Sequence, residues 1–201
     1  MSRAQLAARD LALIATFAAL IAALGTAPPF YPVGGASPVT AQTLGIMLAG
    51  SILGARRGAL AVVTFLALVA AGLPLLAGGR GGLEQFSGKS AGFLVGWVAG
   101  AWVIGALVAL RPPKLLVGWL VVANAVGGIA VVYVFGVPWM AHVAGVSLLT
   151  AWKWSAVYLV GDSLKVAVAV VVTAGVIRGY PAVLPQRFVD RRREAVDAAA
   201  R

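Results

Sequence analysis

Segment 156–176 reads AVYLVGDSLKVAVAVVVTAGV and carries two opposite charges, Asp162 and Lys165, within an otherwise apolar run. A helix of about 20 apolar residues is long enough to cross a bilayer. Residues three positions apart lie on one face of a helix, so the two charges are neighbours. A charge in the hydrocarbon region costs at least about 2.5 kcal/mol and usually faces a partner or a cavity. The pair therefore either ties helices together or forms part of a functional site.

The composition of the remaining sequence predicts an all-α integral membrane protein. Hydrophobic residues make up 61% of the chain and charged residues 11%, whereas soluble domains carry about 25% charged residues. Cysteine is absent and His142 is the single histidine, so we expect no metal site and no cofactor. The net charge of +10 comes from residues between and after the apolar runs. Membrane topology accounts for these charges, and we expect no nucleic-acid partner.

The apolar runs predict six transmembrane helices in a domain that spans 1–177, followed by a basic tail at 178–201. The six runs are 11–26, 41–55, 58–77, 93–110, 115–135 and 155–177. The aromatic stretch 138–154 predicts one or two short helices at the membrane surface. Prolines at 27–40 and glycines at 78–92 predict two irregular loops.

The distribution of basic residues predicts that both termini lie inside the cell. With the N-terminus inside, every lysine and arginine falls on the inner side except Arg80, Lys89, Lys153 and Lys165. Such an excess marks the cytoplasmic side. The two irregular loops and the start of the last helix then share the outer face, which predicts a ligand pocket open to the outside.

Four segments, in order and with matching spacing, resemble the BioY family of biotin-binding S components of energy-coupling factor (ECF) transporters. They are PVTAQTLGIMLAGSILGARRGALAV at 38–62, AAGLPLLAGGRGGL at 70–83, GVPWM at 136–140 and GDSLK at 161–165. The resemblance covers about 11–177. It implies an S-component fold in the cell membrane. It also implies that the protein captures biotin for uptake, and that a T component and a pair of cytoplasmic ATPases energise this uptake. The implied role is that of a transport subunit and not of an enzyme. The chain lacks the G-x-x-x-x-G-K-[ST] phosphate loop, so ATP would bind to the partners.

The resemblance favours Asp162 and Lys165 as the residues that bind the ring end of biotin. A carboxylate accepts hydrogen bonds from the urea N–H groups, and an ammonium donates to the urea carbonyl. Chemistry alone leaves open that Lys165 meets the biotin carboxylate instead. In the glycine-rich loop, the backbone N–H groups of Gly79 and Gly81 and the charge of Arg80 are candidates for that carboxylate. The alternative is a tight turn with a solvated arginine.

Three further side chains are candidates for the pocket wall. Gln42 either lines the pocket or lies at the start of its helix facing the lipid headgroups, and Asn124 either binds ligand or links helices. Phe93 is a candidate apolar wall, with Trp97, Tyr133, Trp139 and Tyr158 as further ones. The usual G-P-T-G-G-Y of the family reads GKSAGF at 88–93, so Phe93 lacks the hydroxyl of a tyrosine.

Small residues recur every four positions on the first helix, at Ala15, Ala19 and Ala23. Such a row allows close helix packing, either inside the subunit or against a partner. The resemblance favours docking of the T component on this row. The chain is also expected to contact membrane lipid.

The rival function is a stand-alone secondary carrier for biotin or a similar small vitamin, and uptake without ATP would favour it.

Overall fold

A computed structural model describes residues 3–27, 40–110 and 117–179, and most of these residues are helical. The helices are α1 (Arg3–Gly25), α2 (Gln42–Leu48), α3 (Ala55–Ala70), α4 (Ala91–Leu110), α5 (Val117–Ala125), α6 (Val132–Ala144), α7 (Leu148–Ala156) and α8 (Leu159–Gly179). The predicted all-α class is confirmed. Most of the predicted proline-rich loop, the start of the fifth predicted helix and nearly all of the basic tail lie outside the described residues.

Two π-helical turns lengthen the helices. One turn, Ala49–Leu53, extends α2. The other, Val126–Val131, joins α5 to α6 into one helix of 28 residues. The sequence predicted an end at 135 and a break before Pro138, but the helix continues through Pro138 to Ala144. Proline is tolerated inside membrane helices, where neighbouring groups satisfy the freed carbonyl.

The third helix ends earlier than predicted, at Ala70 rather than 77. Gly72 has φ +99°, a conformation that residues with a side chain rarely adopt. Pro74 follows and cannot donate a helical hydrogen bond. The chain then forms an irregular loop, which returns to the helix end through a 2.8 Å bond from the Gly82 N–H to the Val69 carbonyl.

Four helical segments are long and apolar enough to cross a membrane: Ala7–Gly25, Ala91–Leu110, Val117–Ala144 and Leu159–Gly179. The apolar segment Gln42–Leu53 is shorter. Large apolar side chains point outward from these helices, including Val134 at 69% exposure and Val171 at 71%. Contact between such a surface and lipid has no free-energy cost, whereas exposure of the same surface to water is unfavourable. The chain is therefore an integral membrane protein.

Helix α4 packs at backbone distance against its neighbours. A Cβ atom at Gly100 would meet the carbonyl oxygen of Gly127, and one at Gly50 would meet that of Ala101. Glycines at such positions let membrane helices approach closely. Nearer the start of α4, a Cβ atom at Gly96 would meet the carbonyl oxygen of Val132, so the beginnings of α4 and α6 are held together, and both contribute to the pocket described next.

Candidate functional site

A pocket opens at one end of the bundle, where α2, α4 and α8 begin. Its empty space, including the open mouth, is about 610 Å³. The lining residues are Thr40, Thr43, Arg80, Ser90, Phe93, Leu94, Trp97, Val132, Tyr133, Tyr158, Asp162 and Lys165. The structure thus brings seven of the candidate residues into one pocket: Arg80, Phe93, Trp97, Tyr133, Tyr158, Asp162 and Lys165.

The two charges of α8 form an ion pair in the pocket wall. Lys165 Nζ lies 2.9 Å from Asp162 Oδ1 and also donates a 2.9 Å hydrogen bond to Thr43 Oγ1. The side chains are 14% exposed for Lys165 and 7% for Asp162. Thr43 on α2 therefore fixes the ammonium against the carboxylate. The predicted contact between neighbouring turns of one helix is present.

The second carboxylate oxygen of Asp162 is bound by a tyrosine. Tyr133 Oη donates a 2.7 Å hydrogen bond to Oδ2. The rings of Phe93 and Trp152 each meet the Tyr133 ring edge-on, with centroids 5.9 Å apart. These contacts hold the phenol in place, so the carboxylate is oriented from both sides. The sequence suggested Tyr133 only as an apolar wall, and its hydroxyl contact was missed.

Arg80 enters the pocket from the glycine-rich loop. Its Nε donates to the Ala77 carbonyl at 3.1 Å, and its own carbonyl accepts from the Leu76 N–H at 2.9 Å. Gly79 has φ +71°, and a Cβ atom at Gly81 would collide with the carbonyl oxygen of Leu73. The glycines shape the turn that presents Arg80, and neither is among the described residues that line the pocket.

Gln42 lies behind the pocket rather than in its wall. It is 1% exposed, and its amide donates to the carbonyls of Ile21 and Leu75 and accepts from the Ala77 N–H. One side chain thus joins α1 and α2 to the loop that carries Arg80.

Asn124 lies deeper in the bundle. Its Oδ1 accepts from Ser51 Oγ at 3.1 Å and its Nδ2 donates to the Leu120 carbonyl at 2.8 Å. The amide therefore links α5, close to its junction with the second π-helical turn, to Ser51 within the first π-helical turn. Neither Gln42 nor Asn124 is among the described residues that line the pocket.

The candidate docking row lies on the surface of α1. Ala15, Ala19 and Ala23 are exposed, whereas Ala18 and Ile21 on the opposite side are buried in the core. This row is therefore not used for packing against the described helices.

The pocket has the chemistry of a site for a small amphipathic anion. The described residues contain no group of three His, Cys, Asp or Glu side chains that could hold a metal. The pocket instead combines an oriented carboxylate, an ammonium, a guanidinium and an aromatic wall. Such a site suits a ring that both donates and accepts hydrogen bonds, attached to an acidic group.

Comparison with known proteins agrees with this architecture. The BioY family profile matches residues 1–182. A "Biotin transporter BioY" from Rhizobium etli is 48% identical over 188 residues, which cover 89% of this chain and 98% of the relative. A protein of the same description from Rhodobacter capsulatus is 44% identical over 191 residues, with the same coverage of both chains.

A solved structure has the same fold. It is a 2.1 Å crystal structure of the S-component for biotin from an ECF-type ABC transporter. The two structures superpose with a TM-score of 0.82 at 30% sequence identity, over 89% of this chain and 95% of the other. The family profile, the two relatives and the shared fold agree, and the chain belongs to the BioY family.

Proposed function

We propose that this chain binds biotin at the outer face of the cell membrane and serves as the substrate-binding S component of an ECF-type transporter. As a member of the BioY family it is a transport protein rather than an enzyme. The observation that carries the proposal is the Asp162–Lys165 pair, in which Asp162 is buried, held by Thr43 and Tyr133 in a pocket that also contains Arg80. The relatives described as biotin transporters support biotin as the ligand.

The proposed pose sets the biotin urea against the acid–base pair. Asp162 accepts from the urea N–H groups, and Lys165 donates to the urea carbonyl. Phe93 and Trp97 pack against the thioether ring. The carboxylate tail meets Arg80, whose guanidinium matches carboxylate geometry. The binding residues of this proposal are Asp162, Lys165, Arg80, Phe93 and Trp97, and Thr43 and Tyr133 position the charged pair.

Four of the predicted site residues receive supporting roles in this proposal. The hydrogen bonds of Gln42 hold the glycine-rich loop beside the pocket. Gly79 and Gly81 allow the tight turn that directs Arg80 into the pocket. Asn124 stabilises the centre of the bundle. No cofactor enters the mechanism, because capture of biotin by these groups is a binding step without a covalent change.

The proposed topology has six membrane segments, with both termini inside the cell. The pocket lies where α2, α4 and α8 begin. The Asp10–Arg57 ion pair, at 2.9 Å, joins the beginnings of α1 and α3. We count α5 and α6 as one segment. If successive segments run in alternate directions, α2, α4 and α8 begin on one side of the membrane, whereas α1 and α3 begin on the other. In this arrangement 1–177 form the membrane domain, and 178–201 form a basic tail on the cytoplasmic side, where positive charge accumulates.

The proposed energy coupling uses the exposed alanine row of α1. Ala15, Ala19 and Ala23 leave a smooth surface on which a helix of the T component can pack closely. ATP hydrolysis then takes place on a pair of partner ATPases.

Binding of radiolabelled biotin to the purified chain tests the substrate. We expect saturable binding of one biotin per chain, loss of at least about 30-fold in affinity for Asp162→Asn, and wild-type affinity for the control Ser163→Ala, an exposed neighbour. Wild-type affinity in Asp162→Asn would remove the acid from the site.

Uptake into proteoliposomes tests the coupling. With the T component and ATPases present, we expect uptake only with ATP. Ala19→Trp should bind biotin but lose ATP-dependent uptake and co-purification with the T component, whereas Val171→Trp on the exposed face of α8 should behave like wild type. Concentrative uptake by the chain alone, driven by a proton gradient, would favour the secondary carrier instead.

A further inference from the structure

The segment GVPWM at 136–140 is one of the four that resemble the BioY family, but none of its residues is among the described residues that line the biotin pocket. It belongs to α6 and lies against the segment 88–93, which leads into α4. Two residues of 88–93, Ser90 and Phe93, line the pocket. The contacts between these two segments therefore influence the shape of the site.

Trp139 is bonded to the turn at the start of this segment. Its indole N–H donates a 3.0 Å hydrogen bond to the Gly88 carbonyl, which also accepts from the Ala91 N–H at 3.0 Å. The Ser90 carbonyl accepts in turn from the Phe93 N–H at 3.0 Å. The indole thus holds the carbonyl on which the first turn of α4 is built.

Two glycines let the segment lie directly on α6. A Cβ atom at Gly92 would collide with the Cβ atom of Trp139, and one at Gly136 would collide with the ring of Phe93. The Phe93 ring therefore lies in the space that a side chain at position 136 would fill, and it meets the Tyr133 ring edge-on. Contacts with α6 thus set the position of this ring in the pocket wall.

We propose that Trp139 is a positioning residue for biotin, which acts through Phe93 and does not contact the ligand. The inference rests on the proposed function, in which Phe93 packs against the thioether ring. Loss of the indole hydrogen bond lets the segment 88–93 adopt other conformations before the ligand binds. The Kd then rises by the inverse of the fraction of chains that keep the binding-competent conformation. For one neutral hydrogen bond this factor is about three to ten.

Trp139→Phe removes the N–H donor and keeps an aromatic ring. Trp139 is 39% exposed, so this change leaves the core in place, and Trp102→Phe, at a residue of α4 that is 52% exposed, is the matched control. In the ligand-free chain, hydrogen–deuterium exchange should be faster at 88–93 in Trp139→Phe, but not in the control.

Titration with radiolabelled biotin measures the effect on binding. The affinity should fall about three- to tenfold in Trp139→Phe and stay at the wild-type value in Trp102→Phe. When Phe93→Ala is already present, Trp139→Phe should lower the affinity by less than about twofold more, because the residue through which it acts is gone.

Unchanged exchange at 88–93 in Trp139→Phe would overturn the proposal, and so would faster exchange without a loss of biotin affinity. A loss of affinity that is equally large with and without Phe93→Ala would also overturn it. If Trp139→Phe lowers the unfolding temperature, 3-benzothienylalanine at position 139 replaces it in both measurements, because this residue has the shape of tryptophan without the N–H group. Failure of the wild type to bind biotin would contradict the proposed function, whereas exchange in the ligand-free chain would still decide whether Trp139 holds the segment.

Discussion

Replacement of Lys165 by methionine removes the ammonium but keeps the length and volume of the side chain. In the structure this ammonium makes two hydrogen bonds of 2.9 Å, to Asp162 Oδ1 and to Thr43 Oγ1. The variant leaves a carboxylate that is 7% exposed with Tyr133 as its close donor. Truncation of one partner of a buried, hydrogen-bonded charge pair costs about 2–5 kcal/mol in binding. Biotin affinity should therefore fall roughly 30- to several-thousand-fold.

Titration of the purified Lys165→Met chain with radiolabelled biotin measures this loss, with Ser163→Ala as the control. The Asp162→Asn variant and the double variant complete a thermodynamic cycle. Because the two groups act on one ring, the double variant should lose less than the sum of the single losses. Affinity of Lys165→Met within about twofold of the wild type, in a chain that unfolds at the wild-type temperature, would refute the reasoning. Strictly additive losses would show that the two residues do not act as a pair.

Three other variants test separate parts of the account. Tyr133→Phe removes the 2.7 Å bond to Asp162 and should lower the affinity for biotin about 10- to 100-fold, since a hydrogen bond to a charged group contributes about 1.5–3 kcal/mol. Unchanged affinity in the same titration would contradict an orienting role for Tyr133. Arg80→Ala should lower the affinity for biotin about tenfold or more. The affinity for biotin amide, which lacks the carboxylate charge, should fall by less than about threefold, and equal losses for both ligands would show that Arg80 only shapes the loop. Gln42→Leu removes the three hydrogen bonds that hold the loop and should lower stability by about 2–3 kcal/mol, seen as a lower unfolding temperature; an unchanged temperature would show that the loop is held elsewhere.

Local rules were sufficient to predict the membrane class and to predict that Asp162, Lys165 and Arg80 lie close together. Hydropathy predicted the helices, because a bilayer requires long apolar segments. The spacing of Asp162 and Lys165 predicted their contact, because the helix alone sets this distance. Arg80 was predicted to lie near this pair, because charge asymmetry and loop composition put the glycine-rich loop and the start of the last helix on one face of the membrane. The ends of α3 and α6 were harder to predict, since Gly72 ends one helix while Pro138 does not end the other.

The contacts that complete the site are not local in sequence. Tyr133 and Asp162 are 29 positions apart, and Thr43 and Lys165 are 122 apart. No periodicity relates such positions, because the crossing of packed helices sets their distance. The same limit applies to Gln42: its residue type indicated a polar role, but only the fold shows that its amide is bonded to Ile21 and to the loop. A tyrosine in an apolar run gave no sign that its hydroxyl orients a carboxylate.

An experimental structure of the chain with bound biotin tests the central claim most directly. We predict the fused ring between Phe93 and the Asp162–Lys165 pair, with a urea N–H within about 3 Å of Asp162 and the urea carbonyl within about 3 Å of Lys165. The carboxylate of the same molecule should face Arg80. Biotin bound outside this pocket, or inside it without a hydrogen bond to either member of the pair, would contradict the account.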